Sequence, residues 1–105
     1  MDKIEIYIKG GDKEVAKLEG QEVHILCTCG MNGITDKGLE SISKIIGLRE
    51  LDLEWAERIT DEGLKQLHKI KTLEYVDLEF CEKITVDGLL KLKNALPTCK
   101  IEGFS

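Results

Sequence analysis

Four carboxylates recur at matched positions in the middle of this chain: Asp52 and Glu54, then Asp77 and Glu79. Each pair is separated by one residue, so on an extended strand both side chains point to the same side. An aromatic residue follows each pair directly, Trp55 after Glu54 and Phe80 after Glu79. On neighbouring strands about 4.8 Å apart, such residues would form a tight acidic quartet. Edged by Tyr75, Trp55 and Phe80, that patch suits a basic partner segment with aromatic anchoring. Like charges set opposite each other disfavour a sheet by roughly a few tenths of a kcal/mol or more. The bland alternative is a solvated face, with both aromatics folded onto the adjoining turn. Converging carboxylates also suit Ca²⁺, but no Ca²⁺-loop spacing occurs, and no metal site is expected.

A second cluster joins His24, Cys27 and Cys29. Cys-x-Cys is not the spacing of a zinc knuckle, and no second pair lies nearby, so these thiols read as structural. With Cys81 and Cys99 they make four cysteines. Their placement does not resemble a disulfide framework, and reduced thiols of a cytoplasmic protein are expected. His68 falls on the polar side of a helix. No acid–base pair with distinct environments and no Cys–His pair with an orienting group can be picked out. The expectation is a non-enzymatic protein with no catalytic residues and no cofactor.

The bulk numbers agree with a binding role. A chain of 105 residues makes one domain with a modest core. Hydrophobic residues at 42% and charged residues at 33% describe a globular chain rather than a disordered one. The net charge of −5 argues against nucleic acid and favours a basic protein partner, or else reflects solubility alone. The opening MDKIEIYIKG lacks the pattern of a signal peptide, and no stretch is long and apolar enough for a membrane span.

The elements that must position these residues repeat. LRELDLEWAERITDEGL at Leu48–Leu64 has a near copy, LEYVDLEFCEKITVDGL, at Leu73–Leu89, and a degraded copy, VHILCTCGMNGITDKGL, at Val23–Leu39. Leu39, Leu64 and Leu89 are spaced at 25 residues, a period typical of a solenoid. Each unit reads as a short strand with inward Val23/Leu26, Leu48/Leu51/Leu53 or Leu73/Val76/Leu78. A turn leads to Ile34, Ile59 or Ile84 in the core, and then to Thr35, Thr60 or Thr85 as helix cap. Asp36, Asp61-Glu62 and Asp87 sit near the helix starts, where carboxylates favour the positive end of the dipole. The helices carry Leu39/Ile42/Ile45/Ile46, Leu64/Leu67/Ile70 and Leu89/Leu92/Leu96 at helical spacing. Gly38, Gly63 and Gly88 recur before the leucines and imply close approach of adjacent backbones. Upstream, Ile4–Ile8 reads as a strand, and Asp12 caps a short helix, DKEVAKLE, that ends at Gly20. Downstream, Pro97 stops the last helix, and CKIEGF supplies a final strand with Ile101 inside.

The pattern LxxLxLxxCxxITDxGLxxL resembles the cysteine-containing class of leucine-rich repeats, as in F-box substrate receptors. It is carried here by Leu73, Val76, Leu78, Cys81, Ile84, Thr85, Gly88, Leu89 and Leu92. The preceding copy carries it as Leu48, Leu51, Leu53, Ala56, Ile59, Thr60, Asp61, Gly63, Leu64 and Leu67. Ala56 and Met31 stand at the cysteine position, Val86 replaces the repeat aspartate, and Thr28 replaces a strand leucine. The resemblance implies a buried hydrogen-bond ladder along the cysteine column. It also implies an α/β fold, a short right-handed solenoid with about five parallel strands on the concave side and four helices on the convex side.

The expected layout is a capping unit at 1–22, repeats at 23–47, 48–72 and 73–97, and a capping strand at 98–105. On the strand face, one expected column is Glu5, Cys27, Asp52, Asp77 and Glu102, and a second is Tyr7, Cys29, Glu54, Glu79 and Phe104. A third is Ile25, Glu50, Tyr75 and Lys100. The residues expected to bind are Glu50, Asp52, Glu54, Trp55, Tyr75, Asp77, Glu79, Phe80 and Glu102. Their partner is expected to be a protein with a basic surface, not nucleic acid or membrane. A stoichiometric inhibitor or immunity-type protein, neutralising a basic enzyme, is the competing role. The chain itself is expected to be a monomer or a weak dimer paired through its sheet edges.

Overall fold

The computed structural model describes residues 3–28 and 33–104, and among them strands and helices alternate strictly. In order these are β1 (Glu5–Tyr7), α1 (Asp12–Ala16), β2 (Ile25–Cys27), α2 (Asp36–Ile42), β3 (Glu50–Asp52), α3 (Asp61–Leu67), β4 (Tyr75–Asp77), α4 (Val86–Ala95) and β5 (Lys100–Glu102). The strands form one parallel sheet in sequence order, which is the expected α/β solenoid of five strands and four helices. Cys29 and Met31, for which a strand-face and a cysteine-column position are expected, lie outside the described residues.

The middle residue of each strand points to the helices. Leu26, Leu51 and Val76 are fully buried there, with Leu48, Leu53, Leu73 and Leu78 around them. The helices answer with Val15, Leu39, Ile42, Leu64, Leu67, Leu89 and Leu92, all buried. Each such side chain contributes about 1.5–3 kcal/mol by leaving water, so this shared core is the main cohesive term. Ile34 and Ile59 are sealed within it, whereas Ile84 is only half-buried, because after its own helix α4 the chain adds β5 but no further helix among the described residues.

A polar relay joins the units. The Asp36 carboxylate accepts from the Thr60 backbone N–H at 2.8 Å and from the Thr60 hydroxyl at 2.6 Å. Asp12 holds Thr35 in the same way, at 2.9 and 2.5 Å. Asp61 holds Thr85 at 2.9 and 2.5 Å. Each threonine hydroxyl in turn accepts from its own helix, from Lys37, Glu62 or Gly88 N–H. Thr35, Thr60 and Thr85 are therefore N-caps, as expected. The aspartates do something else. Asp12 does not cap α1, whose N-cap is Gly11 with no side-chain bond; it serves the next unit instead. At Val86 the column has no carboxylate, and the relay stops at Thr85.

The recurrent glycines belong to this relay. A β-carbon at Gly38, Gly63 or Gly88 would collide with the carboxylate of Asp12, Asp36 or Asp61 respectively. The close approach expected from sequence is real, but its partner is a neighbour's side chain rather than a backbone.

Other expectations shift by a few residues. The first strand is Glu5–Tyr7, with Ile4 exposed. The first helix ends at Ala16 rather than reaching Glu19, although Val15 and Leu18 do face the core. Gly20 then turns the chain at φ +77°. Ile46 is exposed because α2 ends at Ile42; beyond it, Ile46 bonds through its backbone to Gln21 and Val23. In place of a strand leucine, Thr28 is fully buried, and its hydroxyl donates to the Asp52 carbonyl at 3.1 Å.

In an exposed helix, Gly→Ala gains about 1 kcal/mol. Here Gly63→Ala should instead lower stability by about 1–3 kcal/mol in urea unfolding, since it displaces a carboxylate bound to Thr60. A stabilised variant would contradict the relay.

Candidate functional site: the open strand face

Residues flanking the buried strand centres face away from the core. Strand pairing places Glu5, Ile25, Glu50, Tyr75 and Lys100 in one column. Tyr7, Cys27, Asp52, Asp77 and Glu102 form the next. This corrects the first strand by two residues: Glu5 and Tyr7 each sit one column earlier than expected. The reason is spacing, since Tyr7 pairs with Cys27 while every later joint keeps the 25-residue step.

Asp52 and Asp77 begin the turns that end their strands. The Oδ1 of Asp52 accepts from the Glu54 N–H at 2.9 Å, and that of Asp77 from the Glu79 N–H at 2.9 Å. These Asx turns give both aspartates a structural duty that the sequence did not reveal. The chain then enters the left-handed region at Trp55 (φ 68°) and Phe80 (φ 62°). For a residue with a β-carbon this conformation costs about 1–2 kcal/mol. It sets the two rings in a stack, with centroids 4.2 Å apart and planes 15° apart. The stack recovers about 0.5–1.5 kcal/mol, yet both rings remain about half exposed, Trp55 at 45% and Phe80 at 53%. They pack on each other.

Beside the rings, one ligand oxygen each from Glu54, Asp77 and Glu79 lies within 4.8 Å of the others. Asp52 is next to Asp77 in register but is committed to its turn and to the Cys27 thiol, which lies 3.6 Å from Oδ2. Three oxygens so placed have the chemistry to hold a hard divalent cation or an organic cation. Desolvation raises the Glu54 carboxyl above its ordinary range, and repulsion from Asp77, Asp52 and Glu79 adds to it. Tyr75 is pushed up to about 12, first by burial and then by Asp77, Glu102, Asp52 and Glu79. Glu102 is partly answered by Lys100 at 3.5 Å.

Towards the first units, the same face opens a cleft of about 220 Å³. Tyr7, Ile25, Cys27, Glu50, Asp52 and Tyr75 line it above Leu26 and Leu51. Of the nine residues expected to bind, Glu50, Asp52 and Tyr75 meet in this cleft. Glu54, Asp77, Glu79, Trp55 and Phe80 gather at the strand ends, and Glu102 ends the last strand, next to Asp77 in register. Sequence reasoning placed Tyr7, Ile25 and Cys27 on this face but not among the binding residues. The shorter first spacing was the signal that would have brought Tyr7 beside Cys27.

The remaining candidates serve the scaffold. His24 Nδ1 accepts from the Ile4 N–H at 3.0 Å, and Nε2 lies 2.9 Å from Glu22. His68 follows α3 as its C-cap, half-buried, and burial with nearby Lys71 and Lys65 lowers its pKa. Cys81 is buried; its thiol donates to the Leu53 carbonyl at 3.1 Å, and burial pushes its pKa up to about 11. Burial likewise raises Cys99.

Two outcomes follow from this geometry. Phe80→Gly should leave stability within about 1 kcal/mol, because relief of the left-handed backbone offsets the lost stacking. Phe80→Val should cost at least about 1 kcal/mol, since a β-branched residue resists that conformation. Equal unfolding midpoints for the two would contradict this balance. Tyr75→Phe should remove a phenolate absorbance transition near pH 12. Between pH 10 and 12 the unfolded chain loses this proton before the folded one, so stability should fall less steeply across that window in Tyr75→Phe than in wild type.

A family model described as Leucine Rich repeat matches residues 30–43, 48–67 and 69–93, more than half of the chain. No curated protein matches it. With its strand–turn–helix units in one parallel stack, this chain belongs to the leucine-rich repeat family.

Proposed function

We propose that this domain is a non-enzymatic protein-interaction module whose strand face binds a partner with a basic surface. One observation carries the reading: three carboxylates converge beside a pair of half-exposed, stacked aromatic rings. A cationic segment arriving there relieves the mutual repulsion of Glu54, Asp77 and Glu79 and covers the rings in the same step. The net charge of −5 supports attraction from a distance, sensitive to salt. Stacked repeats commonly present such extended faces to partners.

The cysteine-containing class of repeat is our reading as well, supported by the Cys81 thiol bonded across the joint to Leu53. Free thiols at Cys81 and Cys99, among the described residues, support a reducing, cytoplasmic setting. Among the described residues, no helix is long and apolar enough to cross a membrane.

The test must spare the Asx turns, so Asp52 and Asp77 are left in place. Immobilised wild-type chain and a Glu54→Lys/Glu79→Lys variant would be exposed to host lysate and eluted with salt. Mass spectrometry is expected to find a basic-surfaced protein on wild type and not on the variant, with unchanged circular dichroism. Equal capture by a folded variant would contradict the reading.

A further inference from the structure

The strand face is not uniform, and its two halves ask for different chemistry. The first half is the cleft of about 220 Å³, floored by the strand backbone at Leu26 and Leu51, whose side chains point into the core, and walled by Ile25, Tyr7 and Tyr75. That volume is below the roughly 300–1,000 Å³ of small-molecule sites, and it is the size of recess that takes one apolar side chain. Glu50 and Asp52 stand at its border. The second half holds the Glu54–Asp77–Glu79 carboxylates and the Trp55–Phe80 stack.

Resting on the binding role given above, we propose that the occupant is an extended basic segment of a protein partner. It seats an apolar side chain in the Ile25–Tyr75 cleft and, two residues on, lays an arginine across the Trp55–Phe80 stack. Charge complementarity selects the basic segment, because acidic residues border both halves and the first half alone offers an apolar recess. Strand geometry sets the spacing. Side chains on one side of an extended segment recur every two residues, about 6.6 Å. From Asp52 to Trp55 the chain turns over three residues, so the gap is at most about 10 Å, which one such step and a long arginine side chain span. Arginine is chosen over lysine because its flat guanidinium stacks on a ring face while its fork donates to a neighbouring carboxylate. The raised Glu54 carboxyl is consistent with an acidic group that gains by meeting a cation.

Trp55 is the single tryptophan, so its emission reports on the stack directly. The probes are synthetic peptides: Gly-Gly-Leu-Gly-Arg-Gly-Gly, the same with lysine for arginine, the same with glycine for leucine, and the same with glutamine for arginine. The first is expected to give a saturable change in emission at up to millimolar concentration. Loss of the leucine should weaken it about tenfold, as one buried apolar side chain implies. Lysine should weaken it about threefold or more, and glutamine should abolish it. Ile25→Gln should weaken the leucine peptide while leaving the leucine-free peptide unchanged. Equal affinity for all cationic peptides would overturn this two-part recognition and leave the acidic-face role standing. Absence of any saturable change would overturn it too, while the lysate capture with Glu54→Lys/Glu79→Lys judges the broader role separately.

Discussion

The stack depends on one arrangement repeated at every joint between helices: an aspartate carboxylate of one unit bonded twice to the capping threonine of the next. Apolar burial supplies most of the cohesion, but leucine contacts alone tolerate sliding and rotation. A carboxylate gripping one N–H and one hydroxyl fixes both the distance and the phase of neighbouring helices. Because the threonine also caps its own helix, the same atoms start the helix and align it. The glycine three residues after each threonine follows from this, since a β-carbon there would evict the carboxylate. Strand register is the downstream result. Glu50 lies beside Tyr75 and Asp52 beside Asp77, so that Glu54 meets Glu79 and Trp55 meets Phe80.

That alignment brings together groups that do not favour one another. Three carboxylates converge, and two aromatic residues adopt a left-handed backbone to present half-exposed rings. Glycine would satisfy the turn at no such cost, and Gly30 stands at the equivalent position of the first full repeat. Strain and repulsion gathered at one end of one face, in an otherwise consistent fold, are the ground on which the proposed binding role rests. The buried Cys81 thiol feels that charge, since Asp77, Asp52 and Glu54 add to burial in raising its pKa. Burial raises the pKa of both Cys81 and Cys99, and Cys81 ties two units through a carbonyl.

Much of this was legible in the sequence. The 25-residue period gave the strands, the helices, the inward leucines and the threonine caps, because each rests on a local pattern. It also put Glu50, Asp52, Glu54, Tyr75, Asp77 and Glu79 on the outer face. What escaped was tertiary. Asp12 looked like a cap for its own helix because its real partner, Thr35, is 23 residues away. Glu5 and Tyr7 were misplaced because the first unit is shorter than the rest. Ile46 continued a helical pattern beyond the end of the helix itself. No pattern of residue types discloses a positive φ, so the cost of placing Trp55 and Phe80 emerged only from the backbone.

The central claim is that the aspartate–threonine relay, added to leucine packing, holds neighbouring units in phase. A double-mutant cycle on Asp36→Ala and Thr60→Val, read by urea unfolding, tests it most directly. The account expects the two losses to be non-additive, with a coupling energy of about 1–2 kcal/mol between the side chains. Losses that add to within about 0.3 kcal/mol would show that the two groups do not act on each other, and would contradict it.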